Sequence, residues 1–157
     1  MEAPPAFKDM PVPPAQEGEY REVAWAKPNL TDGFKPIFIN RPTPTGKFVK
    51  FDMKFCGICH SDVHIGSGDL GPPMCPVVPG HELCGIVSEV GPDVTKVKIG
   101  DKVGVGCIID ACLDCEMCGE GDEMLCLNGG STHTYNTMKG KYEEHGKTSH
   151  CLGNLET

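Results

Sequence analysis

The stretch CLDCEMCGEGDEMLC, from Cys112 to Cys126, constrains the fold of this chain more than any other segment. Its four cysteines are separated by two, two and seven residues. A tight loop can turn the first three thiolates inward, and the glycines of GEGDEM let the chain return with the fourth. A tetrahedral zinc site needs four soft or borderline ligands close together. The spacing therefore predicts a structural zinc, with no open coordination position, bound by Cys112, Cys115, Cys118 and Cys126.

Two other interpretations of these cysteines compete with zinc. Disulfides across gaps of two residues are strained, and disulfides are rare in reducing compartments. An iron–sulfur cluster is the main rival, because it also uses cysteine thiolates. Zinc is favoured, and the zinc-binding lobe is expected to span residues 107–128.

Composition indicates a single domain rich in turns and short strands. The chain contains 20 glycines and 14 prolines among 157 residues, nearly twice the usual share of roughly 12%. Residues 1–20 hold many prolines and few large apolar side chains, which predicts an N-terminal extension. Residues 21–157 are expected to form the domain. REVAWA, KPIFIN and FVKFDMKF look like strands, so we expect a mainly β fold, an irregular barrel or sandwich.

Two expectations concern the core of this domain. In FVKFDMKF the apolar residues alternate with charged ones, which is the period of a strand with one buried face. Free cysteine is among the most buried residue types, and three cysteines flank apolar strands. The residues expected to be buried on these grounds are Val49, Phe51, Met53, Phe55, Cys56, Cys84 and Cys107.

The charge and the absence of long apolar runs exclude several classes of function. With 22 acidic and 14 basic residues the chain carries a net charge of -8, and this repels phosphate backbones, so nucleic acid is not an expected partner. No apolar run reaches the length of a membrane span. The N-terminus shows no secretory signal. We therefore expect the cytoplasm or another reducing compartment, where ten cysteines indicate metal or thiol chemistry.

Two further segments carry candidate chemistry: CGICHSDVH at residues 56–64, expected to be a loop with at most one helical turn, and PGHEL at residues 79–83. GHELCGIVSEVGPDV fits the pattern Gly-His-Glu, two residues, Gly, five residues, Gly, two residues, small apolar. Together with the cysteine cluster, these motifs resemble the zinc-containing alcohol dehydrogenases of the medium-chain superfamily. FCGICHSDVH and GVGCIIDACLDCEMC resemble the cinnamyl alcohol dehydrogenase-like branch. The resemblance runs from about Val23 to Asn128 and fades after Asn136.

The resemblance implies a GroES-like fold, an irregular β barrel that is incomplete in this chain, and an NADP(H)-dependent zinc enzyme. It implies Cys59 and His81 as ligands of a catalytic zinc, and it implies the structural zinc at the four cysteines. The other roles that it implies are as follows: Ser61 takes the proton of the alcohol, His64 relays that proton toward solvent, Asp62 and Glu82 support the metal site, and His60 lies near the cofactor pyrophosphate.

The chain also departs from the family pattern. The family places a second cysteine ligand of the catalytic zinc well downstream, and no residue here matches its context. No glycine-rich turn follows a predicted strand, so a Rossmann domain is not expected in this chain. We expect one structural zinc, with a second zinc and NADP(H) only if the missing domain is supplied.

Two readings of the whole chain remain open. It is either the truncated N-terminal zinc-binding portion of an alcohol dehydrogenase, inactive alone, or a non-catalytic subunit of a larger complex. In the second reading a protein partner completes the barrel, since open sheet edges bind other chains. The sequence does not decide whether the chain by itself is an enzyme, nor which substrate it takes.

Overall fold

The computed structural model describes residues 14–136. Most elements are short antiparallel strands, as the turn-rich composition predicts. The strands are β1 (Glu19–Ala26), β2 (Lys35–Pro42), β3 (Val49–Gly57), β4 (Glu82–Val90), β5 (Lys102–Val105), β6 (Ile108–Asp110) and β7 (Thr132–His133). The helices are α1 (His60–Ser67), α2 (Glu116–Gly119) and a 3-10 turn at Glu123–Leu125. The expected mainly β fold is confirmed.

Strands β1 and β2 form an antiparallel hairpin, which confirms both predicted strands. Glu19 pairs with Pro42 at one end, and Ala26 pairs with Lys35 at the other. The hairpin is joined to the segment before β4 by two backbone hydrogen bonds between Lys27 and Val77, of 2.8 and 3.0 Å. This connection holds the chain that leads into the PGHEL motif.

The central sheet has the strand order β3–β4–β5, and it carries the hydrophobic core. The buried cluster consists of Phe51, Leu83, Val105 and Ile109. Burying each such side chain stabilises the fold by roughly 1.5–3 kcal/mol. In β3 and β4, Gly57 pairs with Glu82. This register places the end of β3 beside the start of β4, where the two motif segments meet.

Helix α1 is longer than the single turn expected from the sequence. The Asp62 carboxylate accepts a hydrogen bond from the backbone N–H of Cys59 at 3.0 Å, which caps the first turn. Gly68 ends the helix with φ of 80°, a conformation that glycine adopts without strain. A side chain at Gly68 would collide with Leu30 of the hairpin loop. The hairpin therefore packs against the end of α1 and fixes its position.

The expected buried face of β3 is only half correct. Val49 and Phe51 are buried, but Met53 and Phe55 are 43% and 71% exposed. Register shifts between Lys50 and Phe51 and between Met53 and Phe55 interrupt the alternation, since a bulge rotates the following side chains. The expectation that three cysteines lie in the core is wrong, because the structure leaves them at the surface: Cys56, Cys84 and Cys107.

Within residues 14–136 the strands form three separate sheets, of two, three and two strands, and no closed barrel. This agrees with the incomplete barrel predicted from the sequence. Strand β1 begins at Glu19, inside the range assigned to the N-terminal extension; the rest of that extension up to residue 13, and residues 137–157, lie outside the described part. None of the helices described is long and apolar enough to cross a membrane.

Candidate metal centres

The four cysteines of the opening motif converge on one point. Their sulfur atoms all lie within 4.8 Å of one another, and the sulfurs of Cys112 and Cys118 are 3.7 Å apart. Helix α2 begins directly after Cys115 and carries Cys118. The 3-10 turn then returns the chain to Cys126, which is buried. The structure brings together all four ligands predicted from the spacing.

Backbone and side-chain N–H groups point at these sulfurs. The N–H of Asp114 and the amide of Asn128 donate to Cys112 at 3.4 and 3.5 Å. The N–H of Leu127 donates to Cys115 at 3.4 Å. Backbone donors of Cys118 and Leu127 lower the pKa of the Cys115 thiol to about 6. Such donors stabilise thiolate, which is the form that binds metal.

The thiols do not all ionise easily in the absence of a cation. Desolvation, followed by the neighbouring Cys115, raises the pKa of Cys118 to about 12. A single cation at the centre would remove this conflict, because it stabilises every thiolate at once. Tetrahedral zinc, with Zn–S distances of about 2.3 Å, requires sulfurs about 3.8 Å apart. The observed spacing and the all-thiolate donor set therefore fit zinc.

A second cluster forms where β3, α1 and β4 meet. The ligand atoms of Cys59, His81 and Glu82 lie within 4.8 Å of one another. Cys59 immediately precedes α1, His81 immediately precedes β4, and Glu82 is the first residue of β4. The structure thus brings together the two ligands that the resemblance implied and adds the Glu82 carboxylate as a third donor.

Asp62 organises this second cluster. It is only 8% exposed. Its Oδ1 accepts hydrogen bonds from the N–H of Gly80 at 2.9 Å and from His81 Nδ1 at 3.1 Å, while Oδ2 accepts from the N–H of Cys59. A carboxylate on Nδ1 fixes the tautomer of the imidazole and leaves Nε2 free for a metal. Asp62 therefore contacts both the segment that carries Cys59 and the ring of His81.

The electrostatics of Cys59 and His81 reflect their mutual contact. Hydrogen bonds from Ser61, its side chain first, and then from His81 lower the pKa of the Cys59 thiol. Burial acts to lower the pKa of His81, but the hydrogen bond to Asp62 and the charge of Asp62 outweigh it, so the pKa of His81 is raised. A lowered thiol pKa makes Cys59 a ready metal ligand.

The absence of a side chain at Gly57 leaves the space that the Glu82 side chain occupies. A Cβ atom at Gly57 would overlap the Glu82 carboxylate, and the two residues pair across β3 and β4. Only a residue without a side chain lets this carboxylate lie against the end of β3, beside Cys59. The exposed Glu82 is thereby held within reach of the other two ligands.

The remaining residues implied by the resemblance lie on α1. Ser61 Oγ is 3.4 Å from His81 Nε2. The His64 ring hydrogen-bonds through Nδ1 to Asp69 at 3.1 Å, and its side chain is 42% exposed. His60 is exposed at the first position of the helix, with its ring centroid 6.2 Å from that of His64. Ser61 therefore contacts the second cluster, whereas His64 contacts Asp69 and is partly exposed to solvent.

A cavity of about 480 Å³ opens beside this cluster and includes a residue that the sequence did not indicate. It is lined by Ser61, Ile65, Leu70, His81, Cys107, His133, Thr134, Tyr135 and Asn136. The Tyr135 ring centroid lies 5.8 Å from that of His81. Desolvation is the largest of the effects that raise the pKa of Tyr135 to about 12. The only local signal for this segment is the alternation of Thr132 and Thr134 before Tyr135.

Residues 47–151 match the family model of the alcohol dehydrogenase GroES-like domain. NADP-dependent alcohol dehydrogenase C 1 of Mycolicibacterium smegmatis is 45% identical over 115 residues, which cover 73% of this chain and 33% of that protein. Cinnamyl alcohol dehydrogenase 8 of Arabidopsis thaliana is 44% identical over 115 residues, covering 70% of this chain and 32% of that protein. The chain therefore spans about a third of the length of the curated relatives that it matches.

Solved structures also resemble most of this chain over little more than a third of their own length. The CAD from Helicobacter pylori, complexed with NADP(H), superimposes with a TM-score of 0.77 and 32% identity, over 87% of this chain and 38% of that chain. The cinnamyl alcohol dehydrogenase SbCAD4 from Sorghum bicolor gives a TM-score of 0.74 and 36% identity, over 86% of this chain and 36% of that chain. The GroES-like fold predicted from the sequence is confirmed.

Proposed function

Since the chain belongs to the family of the alcohol dehydrogenase GroES-like domain, we propose that it is the N-terminal zinc-binding portion of an NADP(H)-dependent alcohol dehydrogenase. The reaction is the interconversion of an alcohol and an aldehyde by hydride transfer. One observation carries this proposal: His81, oriented by Asp62, lies with Cys59 and Glu82 beside the Ser61 hydroxyl at the edge of a cavity.

Each metal centre has a distinct role in this proposal. The four-cysteine site binds a structural zinc and stabilises the lobe around α2, because it offers no open position. Cys59, His81 and Glu82 bind a second zinc more weakly, since Glu82 is exposed and the two strong ligands are only one thiolate and one imidazole. Zinc at this site supplies Lewis acidity to a substrate oxygen.

The residues of the chain itself provide orientation and a path for the proton. Asp62 holds His81 in the tautomer that presents Nε2. Ser61 lies at the cavity and takes the proton of the alcohol. His64, with its Nδ1 bonded to Asp69 and its ring partly exposed, passes the proton to solvent. His60, exposed at the start of α1, would contact the phosphates of a bound cofactor.

We further propose that this chain does not catalyse the reaction alone. The hydride chemistry belongs to the nicotinamide cofactor, and residues 14–136 contain no glycine-rich turn that joins a strand to a helix in a βαβ unit. The purified chain, incubated with NADPH and cinnamaldehyde, should show no oxidation of NADPH. Turnover that persists when contaminating full-length enzyme has been excluded would contradict this statement.

A hybrid protein tests whether the site itself is competent. Residues 23–136 of this chain replace the matching segment of the Mycolicibacterium relative, which provides the rest of an enzyme. The hybrid should reduce aldehydes with NADPH, and Cys59→Ser in the hybrid should abolish that activity. A folded, zinc-loaded hybrid without activity would show that this site does not perform the chemistry.

A non-catalytic subunit of a larger assembly is the second candidate. The observation that favours it is the exposure of three large apolar side chains, Phe55 at 71%, Ile58 at 86% and Leu70 at 71%. A protein partner that adds strands to the sheet would cover such residues. Native mass spectrometry of material purified from its source should then show a second chain. The nine cysteines described are all free thiols, which suits a reducing compartment for either candidate.

A further inference from the structure

Two histidines of α1 lie one turn apart on an accessible face of the helix. His60 is the first residue of α1, and His64 follows four positions later, a spacing that places both on one face. Their ring centroids are 6.2 Å apart. His60 is exposed, and the side chain of His64 is 42% exposed. The two rings therefore lie side by side within reach of solvent.

Asp69 determines which nitrogen of His64 is available to a ligand. The N–H groups of Gly68 and Asp69 both donate to the carbonyl oxygen of His64, at 2.8 and 3.1 Å, which places Asp69 directly after the last turn of α1. Its carboxylate lies 3.1 Å from His64 Nδ1. An ionised carboxylate only accepts, so Nδ1 carries the proton. Nε2 of His64 then keeps the lone pair that a metal requires.

The separation of the two rings is close to that of imidazoles that share one ion. With metal–nitrogen bonds of about 2.0–2.1 Å and a tetrahedral angle, two ring centroids lie about 5 Å apart. Rotation of exposed side chains can close the remaining difference from the observed 6.2 Å. Two histidines four positions apart on a helix are also the arrangement with which the His-Glu-x-x-His motif binds zinc.

The chemistry of the pair selects the class of ion. Imidazole suits zinc, nickel and copper(II), whereas calcium and magnesium prefer oxygen ligands. The positive end of the helix dipole disfavours a cation near His60. The Asp69 carboxylate and the net charge of -8 act in the opposite direction. Two protein ligands leave the other coordination positions to water, so binding should be weaker than at the four cysteines.

We propose that His60 and His64 form a third metal site, separate from both cysteine-containing clusters, which binds one hydrated zinc or nickel ion at the surface of α1. The site needs neither the second cluster nor a cofactor, so it does not depend on the proposed function. If that function holds, an ion on His64 Nε2 occupies the lone pair with which this ring accepts a proton. Metal binding at this site and proton transfer through His64 then exclude each other.

Nickel(II) is the probe for this site, because it is paramagnetic and broadens the NMR signals of nearby amides. The isotopically labelled full chain is first loaded with zinc and then titrated with nickel(II) chloride. The amide signals of α1 should broaden at nickel concentrations that leave the β1–β2 hairpin unchanged. Signals outside α1 that match those of the wild type show that a variant has kept its fold.

His60→Gln and His64→Gln should each weaken nickel binding at α1 by at least about a hundredfold, because the effective concentration of the second ligand is lost. The matched control combines His64→Gln with Ser67→His. It keeps the number of histidines but separates the two on α1 by seven positions, about 10 Å along the axis, so it should bind as weakly as His64→Gln. His133→Gln, at an exposed histidine of β7, and Cys59→Ser should bind as the wild type does.

Three results would overturn the inference. Unchanged broadening of α1 in His60→Gln would show that the two rings do not share an ion. Equal binding by the wild type and by the control with separated histidines would show that the spacing has no role. Broadening that disappears in Cys59→Ser would assign the nickel to the second cluster. By contrast, a chain that binds no metal through Cys59 but keeps the His60-dependent broadening would contradict the proposed function and support this inference.

Discussion

Asp62 and His81 are joined by a hydrogen bond of 3.1 Å between Oδ1 and Nδ1, and this contact directs the other ring nitrogen toward Cys59 and Ser61. Both side chains are largely buried, at 9% and 13% exposure. Asp62 belongs to α1, whereas His81 precedes β4. The bond therefore ties together the two segments that carry the second metal centre.

The first prediction concerns Asp62→Asn. The amide can donate as well as accept, so it no longer selects the tautomer of His81 that presents Nε2. Metal affinity at Cys59, His81 and Glu82 should fall by about 10–100-fold, measured by competition with a chromogenic chelator. The four-cysteine site serves as an internal control and should be unaffected.

Asp69→Asn is the matched control variant for this experiment. Asp69 contacts His64 rather than His81, so its substitution should leave metal affinity unchanged. Equal affinity in Asp62→Asn and the wild type would show that Asp62 does not orient the ligand.

The second prediction concerns the number of tightly held zinc ions. After dialysis against a mild chelator, one zinc per chain should remain, since a structural zinc site contributes on the order of 10–16 kcal/mol near neutral pH. Cys115→Ser should lose that zinc and unfold the lobe. Cys59→Ser should retain it, as should Cys84→Ser, which removes an exposed thiol.

Elemental analysis of the dialysed protein measures this stoichiometry. A value of two that falls to one in Cys59→Ser would mean that the second centre is as tight as the first. A further strong ligand would then have to reach Cys59 and His81.

The third prediction concerns Gly57→Ala. The added methyl group would occupy the space of the Glu82 carboxylate, so Glu82 should be displaced from the other two ligands. Cobalt affinity at the second centre should fall by about tenfold, and Glu82→Gln should show a similar loss. Absorption titration with cobalt(II) measures both.

Gly104→Ala is the control for this substitution, because a methyl group at Gly104 in β5 would approach only Leu83 O, at 3.6 Å. Its cobalt affinity should match that of the wild type. If Gly57→Ala behaved like Gly104→Ala, Glu82 would not be a ligand.

The fourth prediction concerns the alkaline titration of Tyr135. Burial, together with the Asp62 carboxylate, raises its pKa to about 12 in the folded chain, against about 10 in an unfolded one. A raised pKa means that the folded state holds this proton more tightly. The contribution of Tyr135 to stability is thus fully present below pH 10 and is lost as the pH rises through about 12.

Ultraviolet difference spectra of the wild type and Tyr135→Phe should show this late ionisation. In denaturant Tyr135 should ionise near pH 10, so the same spectral difference should appear there. Ionisation of Tyr135 near pH 10 in the folded protein would place the phenol in solvent and not beside Asp62.

The structural zinc site is the part of the molecule that could be predicted most directly from the sequence. Its four cysteines are close along the chain, so covalent spacing and the turn-forming glycines nearly suffice to gather them. The same holds for the hairpin of β1 and β2, whose two strands follow one another. The family resemblance implied that Cys59 and His81 are ligands of one zinc. Their spacing along the chain could not by itself show that they lie close together.

The second centre depends on the pairing of distant strands. Glu82 reaches Cys59 because Gly57 and Glu82 are partners in the β3–β4 register and because Gly57 lacks a side chain. Tyr135 reaches the same place from beyond β7, in a segment whose sequence looks only polar. The exposure of Met53 and Phe55 was likewise not predictable, because bulges and the extent of the covering sheet decide which face is buried.

The sequence by itself determined the four-cysteine donor set and the class of fold, since these depend on residue chemistry and short-range geometry. Only the tertiary structure decided which donors meet and which hydroxyl faces the cavity. Such contacts between distant residues arise from hydrogen-bond register and close packing, and small shifts in either would separate Cys59, Glu82 and Tyr135.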